Sequence, residues 1–392
     1  MFANWNLLIP ADKDKSAPRN PAIKKARLTS ITYPRCLSLC TTPSPTIPST
    51  LPPLDTITQI FSTIRKPSDV SPSHLQLLNV SYTYDLPLSS LIPTKYHPDE
   101  NDSDENSLFN QRKKEISVEN QDAYDFIARR RRDIKIGNFY KFFQAMEMVE
   151  LILSSENPAD GYTKDGKDTR MDGIPVDGGA AGAAARTAAK YREELLRNFV
   201  DPVSWGVDMR IYPPRYPPKL LAQRSLFSVK ADLYLHLQPP TMQERKEGVV
   251  VGPAVVLQTR NEEKFTETED VADAVHELTA LLTLSQERCR TGMHKKVRYQ
   301  AVGKDKSIGG DDLFLISSVN HHLAISHVFL TDAYIKYIRT GQLPPEEYRE
   351  QNPQWCCCRI GRTKWYSLIE VDGRIDALKA IMAVMTWLKR TD

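Results

Sequence analysis

The sequence is poor in the features that would assign it quickly to a chemistry. Cysteine is scarce, with six in 392 residues, and three of these are consecutive at Cys356, Cys357 and Cys358. Adjacent cysteines do not readily meet the spacing of a tetrahedral zinc site or an ordinary disulfide. Reduced thiols are expected, in an intracellular protein that is nuclear or cytoplasmic rather than secreted. No run of about 18 apolar residues is present, so no membrane partner is expected. The opening MFANWNLLIPADKDK lacks the basic region and apolar stretch of a secretory signal. No nucleophile elbow, zinc-spacing cluster or dinucleotide fingerprint occurs, which leaves serine-hydrolase and dehydrogenase chemistry without residues to rest on. A strong charge of either sign is also missing. The formal net charge of +3 permits nucleic-acid binding without demanding it.

What is present divides the chain unevenly. Its 41% hydrophobic content supports a sizeable core. Fourteen of the 27 prolines fall by Pro98, however, and Pro43, Pro45, Pro48, Pro52 and Pro53 crowd a Ser/Thr-rich stretch. Such a segment cannot bury enough apolar surface to offset its ordering entropy. Residues 1–119 are therefore expected to be largely disordered with short helices. One of these follows Asp55, with Ile57, Ile60, Phe61 and Ile64 at helical spacing. Lys24, Lys25 and Arg27 form either an import patch or a solvated basic cluster. An acidic linker, Pro98 to Asn106, precedes a folded domain over 120–392.

In that domain a helical pattern runs from Asp122 past Arg129–Arg132 to Val149, and a turn-rich loop covers Ser154 to Gly173. The alanines around Gly178, Gly179 and Gly182 read as the start of a helix through Leu196. Two β-type runs follow, Leu226 to Gln238 and Gly248 to Arg260. A helix is expected over Val271 to Arg288, strands over Leu313 to Val319, Leu323 to Leu330 and Leu368 to Val371, and a final helix ending near Trp387. This order indicates an α+β or α/β-like fold, with a mixed sheet flanked by helices.

The two β runs carry the candidate chemistry. The first contains Asp232, and the second ends on Gln258, Thr259 and Arg260. An acidic residue on one strand, with two polar residues spaced one apart at the end of the next, suggests a metal-dependent nuclease core. Phosphodiester cleavage needs a hard cation, usually Mg2+, held by oxygen ligands. Asp232 supplies a carboxylate and Gln258 a neutral carbonyl oxygen. Arg260 can steady developing phosphate charge but, always protonated, cannot act as a base. His236 lies four residues after Asp232 and reads as a phosphate contact or a satisfied core histidine. His321 and His322, being adjacent, would face opposite sides of a strand.

The ordered set VKADLYLHL, VVLQTR, ADAVHELTALLTLSQER and RIGRTKWYSLIEVDGRIDALKAIMAVMTWL resembles the PD-(D/E)XK nuclease-like proteins common in filamentous fungi. The resemblance covers roughly the last two-thirds of the chain. Lys230 and Asp232, the triplet Gln258-Thr259-Arg260, and Gly361 with Thr363 occupy the places of that family's motifs. It implies a restriction-endonuclease-like core, nucleic acid as partner, and Mg2+, with Mn2+ able to substitute. Gln258 stands where the family has glutamate, and Arg260 where it has lysine. Glu277 falls where the following helix would carry glutamine, which raises an exchange of roles: Asp232, Gln258 and Glu277 as metal ligands, with Arg260 on the phosphate. The alternative is a catalytically inactive nuclease fold that binds or scaffolds.

Overall fold

The computed structural model describes residues 54–63, 71–100, 102–130, 140–156, 180–223, 225–239, 241–260, 267–294, 297–302 and 309–389. The helix expected after Asp55 is α1 (Leu54–Thr63), which includes Asp55 and buries Ile60 and Phe61, while Ile64 lies outside the described residues. Helix α2 (Pro72–Leu77) starts with proline at its first position, where a missing N–H costs nothing. Then come β1 (Val80–Leu86), α3 (Leu88–Leu91), α4 (Leu108–Ile116), α5 (Asn120–Arg130), α6 (Tyr140–Glu156) and the long α7 (Ala180–Gly206). Strands β2 (Met209–Tyr212), β3 (Lys219–Ala222), β4 (Ser225–Ser228) and β5 (Leu233–Leu237) lead through α8 (Met242–Lys246) to β6 (Val249–Val251) and β7 (Pro253–Arg260). The chain continues through α9 (Glu267–Arg288), β8 (Gly292–His294), β9 (Val297–Gln300), β10 (Gly310–Val319), β11 (His322–Thr331), α10 (Asp332–Thr340) and α11 (Glu346–Gln351). It closes with β12 (Cys358–Thr363), β13 (Tyr366–Ser367) and α12 (Val371–Lys389).

The fold is α+β. The main sheet has eight strands, seven in the order β1-β12-β11-β10-β7-β5-β2, with β13 added beside β11. It is mixed: β1 with β12 and β7 with β10 are parallel, and the other pairs are antiparallel. Because side chains alternate along a strand, each central strand feeds two cores. Val255 and Leu257 of β7, with Phe314 and Ile316 of β10, pack against α6, α7 and α12. Val256 of β7, with Leu313 and Leu315 of β10, packs against α9 and α10. Among the described residues, no helix is long and apolar enough to cross a membrane.

Each run expected as one strand is two. Between β4 and β5 the backbone changes partners: the Val229 amide donates to the Pro218 carbonyl, and the Asp232 amide to that of Leu257. Strand β4 therefore belongs to a hairpin with β3, and β5 to the main sheet. Between β6 and β7 the chain turns at Gly252. A Cβ there would sit 3.2 Å from the Arg288 backbone, so glycine admits the close approach. Strand β6 then joins β9 and β8 in a separate three-stranded sheet. The strand expected at Leu368–Val371 does not form: the short β13 lies just before it at Tyr366–Ser367, and α12 begins at Val371. The helical pattern from Asp122 to Val149 is carried by two helices, α5 and α6.

The domain also begins earlier than residue 120. Strand β1 pairs with β12, and Leu91, Ile92, Phe109 and Ile116 lie in the core. Arg374 of α12, with no exposed surface, ties this region down. Its guanidinium donates to the carbonyls of Ile116 at 2.9 Å and Val118 at 2.7 Å, and to Asn120 Oδ1 at 2.7 Å. High proline content around a short β run conceals it from a compositional reading. The expectations for Lys24, Lys25, Arg27, the Pro43–Pro53 stretch, Arg131 and Arg132, most of the Ser154–Gly173 loop, and Gly178 and Gly179 lie outside the described residues.

Candidate nuclease-like site

Asp232 sits just before β5, where the chain crosses to β7. Its Oδ2 accepts from the backbone amide of Thr259 at 2.6 Å and from the Thr259 hydroxyl at 3.0 Å. Lys230 Nζ donates to the Thr259 carbonyl. Thr259 shares the face of Leu257, which looks onto α7. From α7 comes a residue that sequence reasoning missed, Glu193. Burial raises its carboxyl above the usual range, and the negative charge of Asp232 raises it further, against a lowering by Arg197. Glu193 lies 39 residues before Asp232, in a charged stretch KYREELLR that distinguishes it from Glu194 by nothing local.

Gln258 and Arg260 point the other way. Alternation along β7 puts both on the face of Val256, toward α9. Gln258 is fully buried; its Nε2 donates to the Lys230 carbonyl at 2.9 Å, while its Oε1 has no hydrogen-bond partner among the described residues. Glu277 of α9 is also fully buried on this side. Its Oε2 accepts from Ser326 Oγ at 2.7 Å and Tyr82 Oη at 3.1 Å. Burial drives the Tyr82 phenol well above its ordinary range; Glu277 adds to this, while Arg362 and Arg260 oppose it. The Arg362 guanidinium lies over the rings of Trp365, at 4.8 Å, and Tyr82, at 5.5 Å.

The sequence-predicted residues thus divide between two faces of one sheet. Asp232 lies with Thr259 and Glu193, whereas Gln258, Arg260 and Glu277 lie on the α9 side. Asp232, Gln258 and Glu277 do not fit a shared divalent cation, which needs its oxygen donors to converge. On the α9 side Arg260 and Arg362 both act on the Tyr82 phenol that donates to the Glu277 carboxylate, an environment that disfavours a further cation. Among the described residues, no group of three or more His, Cys, Asp or Glu could hold a metal ion.

The remaining motif positions are structural. Gly361 of β12 lies under α3, where a Cβ would meet Leu91 Cδ2 at 2.7 Å. Thr363 Oγ1 accepts from the Ile325 amide at 3.1 Å and donates to the Lys364 carbonyl at 2.9 Å. His321 lies in the tight turn between β10 and β11 rather than in a strand, so its ring is 4.1 Å from that of His322. His236 Nδ1 bonds to the Val251 carbonyl at 3.0 Å, at the end of β5 away from Asp232. The four described cysteines, Cys289, Cys356, Cys357 and Cys358, are free thiols. No family model, curated protein or solved structure matches the chain.

Proposed function

We propose that this protein is a nuclease-like fold that binds nucleic acid without cleaving it. The observation that carries this reading is the opposite facing of Asp232 and the Gln258–Arg260 pair, each already committed to contacts within the fold. A cleaving site would need these oxygens to converge beside a scissile phosphate. Here Asp232 caps a strand amide, Gln258 anchors a loop carbonyl, and Glu277 is enclosed by Ser326 and Tyr82. The resemblance to fungal PD-(D/E)XK nuclease-like proteins supports nucleic acid as the partner. The small net positive charge is compatible with it.

A second reading, Mg2+- or Mn2+-dependent cleavage, is favoured by one observation, the effect of the Asp232 charge on the Glu193 carboxyl. These two carboxylates would hold the ion, which would supply an activated water. Binding of a fluorescent oligonucleotide across a salt series tests the first reading: affinity falling with salt, unchanged by chelator, is expected. An absence of binding at low salt would contradict it.

A further inference from the structure

The end of β5 and β7 remote from Asp232 holds a separate cavity. From Arg260 back to Pro253 the strand covers roughly 23 Å at about 3.3 Å per residue, so the two places are distinct. The cavity has a volume of about 700 Å³ and lies among the β2–β3 connection, the ends of β5 and α9, and β9. That is the size of a small-molecule site, on the order of 300–1,000 Å³. Its wall is stiff, because Pro213, Pro214, Pro217 and Pro218 fix the connecting backbone.

The lining is cationic and aromatic together. Arg215, Lys219, Arg245 and Arg290 contribute four positive charges, against the single carboxylate of Glu287. Glu287 is bound to Arg290 at 3.2 Å, and the Arg290 guanidinium lies 5.3 Å from the centre of the Tyr299 ring. Tyr212, Tyr216, Tyr234 and Tyr299 supply flat surfaces. Tyr234 is 4% exposed, and its hydroxyl has no hydrogen-bond partner among the described residues. A buried phenol without a partner costs stability unless something supplies one. His236 also lines the cavity; a carbonyl can only accept, so its bond to Val251 fixes the proton on Nδ1 and leaves Nε2 an acceptor.

We propose that this cavity binds a free nucleotide, with the base stacked among the tyrosines and the phosphate held by the arginines. Cations alone would fit any small anion, and tyrosines alone any flat apolar ring. Their combination with a partnerless hydroxyl and a neutral acceptor fits a ligand that is planar, anionic and rich in polar edges. The site is independent of the nuclease-like end of the sheet and of its interpretation.

Titration calorimetry of the full chain with AMP, adenosine and inorganic phosphate tests this. AMP is expected to bind, and adenosine to bind about tenfold more weakly or worse, because it lacks the charge-assisted contacts. Arg290→Ala and Arg215→Ala should each weaken AMP by roughly tenfold. Tyr234→Phe removes one oxygen from the cavity and should weaken AMP severalfold without lowering the melting temperature. The proposal is overturned if AMP gives no binding to folded protein, or if adenosine binds as well as AMP. It is equally overturned if AMP affinity survives all three substitutions in variants whose circular dichroism matches the parent, or if only a 5′-phosphorylated oligonucleotide binds.

Discussion

The carboxylate of Asp232 and the backbone amide of Thr259 are joined by a 2.6 Å hydrogen bond, and the same oxygen takes the Thr259 hydroxyl at 3.0 Å. The residue that the sequence offers as a metal ligand is thus a structural cap joining β5 to β7. Thr259→Val, which keeps the amide and deletes the hydroxyl, should cost about 1 kcal/mol of stability. Asp232→Ala should cost about 1–3 kcal/mol by leaving the Thr259 donors unmatched. Urea unfolding measures both; stability unchanged in both variants would show that the cap contributes nothing.

Glu277 gives the complementary case on the α9 face. Its enclosure by the Ser326 and Tyr82 hydroxyls makes it a buried hydrogen-bond acceptor. Glu277→Ala is expected to destabilise by about 1–3 kcal/mol, since it leaves the Ser326 and Tyr82 hydroxyls without their acceptor. Tyr82→Phe should cost about 1 kcal/mol. A Glu277→Ala variant as stable as the parent, by chemical denaturation, would contradict this structural role.

How far the sequence could be read follows from these two residues. Period-two runs and helical stripes are local, so β7, β10, β11, α9 and α12 are visible in the chain without coordinates. The facing of a site is not local. The triplet Gln258-Thr259-Arg260 looks like one cluster, but alternation sends its middle member to one core and the outer two to the other. Whether Asp232 joins the middle or the outer residues depends on the break between β4 and β5, where Val229 and Asp232 change hydrogen-bond partners. Glu193 reaches the site only through the packing of α7, and β1 only through pairing with a strand 278 positions later, as in Val80 with Cys358.

Acid should act on the half-buried His236 and His321. Burial lowers both His236 and His321 to about 4, with the Val251 carbonyl opposing the shift at His236 and His322 adding to it at His321. Each folded value lies below the ordinary one near 6.5, so the unfolded chain binds more protons between these limits. Stability should therefore fall as pH drops from about 6.5 to about 4, with a slope well below about 1.4 kcal/mol per pH unit for the partly solvated His321. Glu193, Asp201 and Glu287, raised chiefly by burial, act in the opposite direction. The difference between wild type and His321→Asn isolates the histidine contribution: the variant's profile should be flatter, and identical slopes would refute it.

The three consecutive cysteines should differ in reactivity. Cys357 is lowered to about 6, chiefly by a hydrogen bond from the Cys356 thiol and also by Asn79 and Arg359, against the opposing effect of burial. Cys358 is fully buried and its thiol is pushed upward. Because its thiol is shifted toward the thiolate, alkylation by iodoacetamide should label Cys357 well ahead of Cys356 and Cys358. Peptide mapping checks this, and equal labelling of all three would contradict the assignment.

The most direct test of the central claim is cleavage of labelled single- and double-stranded DNA by the full chain with Mg2+ and with Mn2+, alongside Asp232→Asn and Glu193→Gln. The binding reading predicts no cleavage above a metal-free control in any of the three proteins, while the oligonucleotide is still retained. Metal-dependent cleavage by the wild type that is lost in both variants would contradict it, and would make Glu193 and Asp232 the working pair of a nuclease.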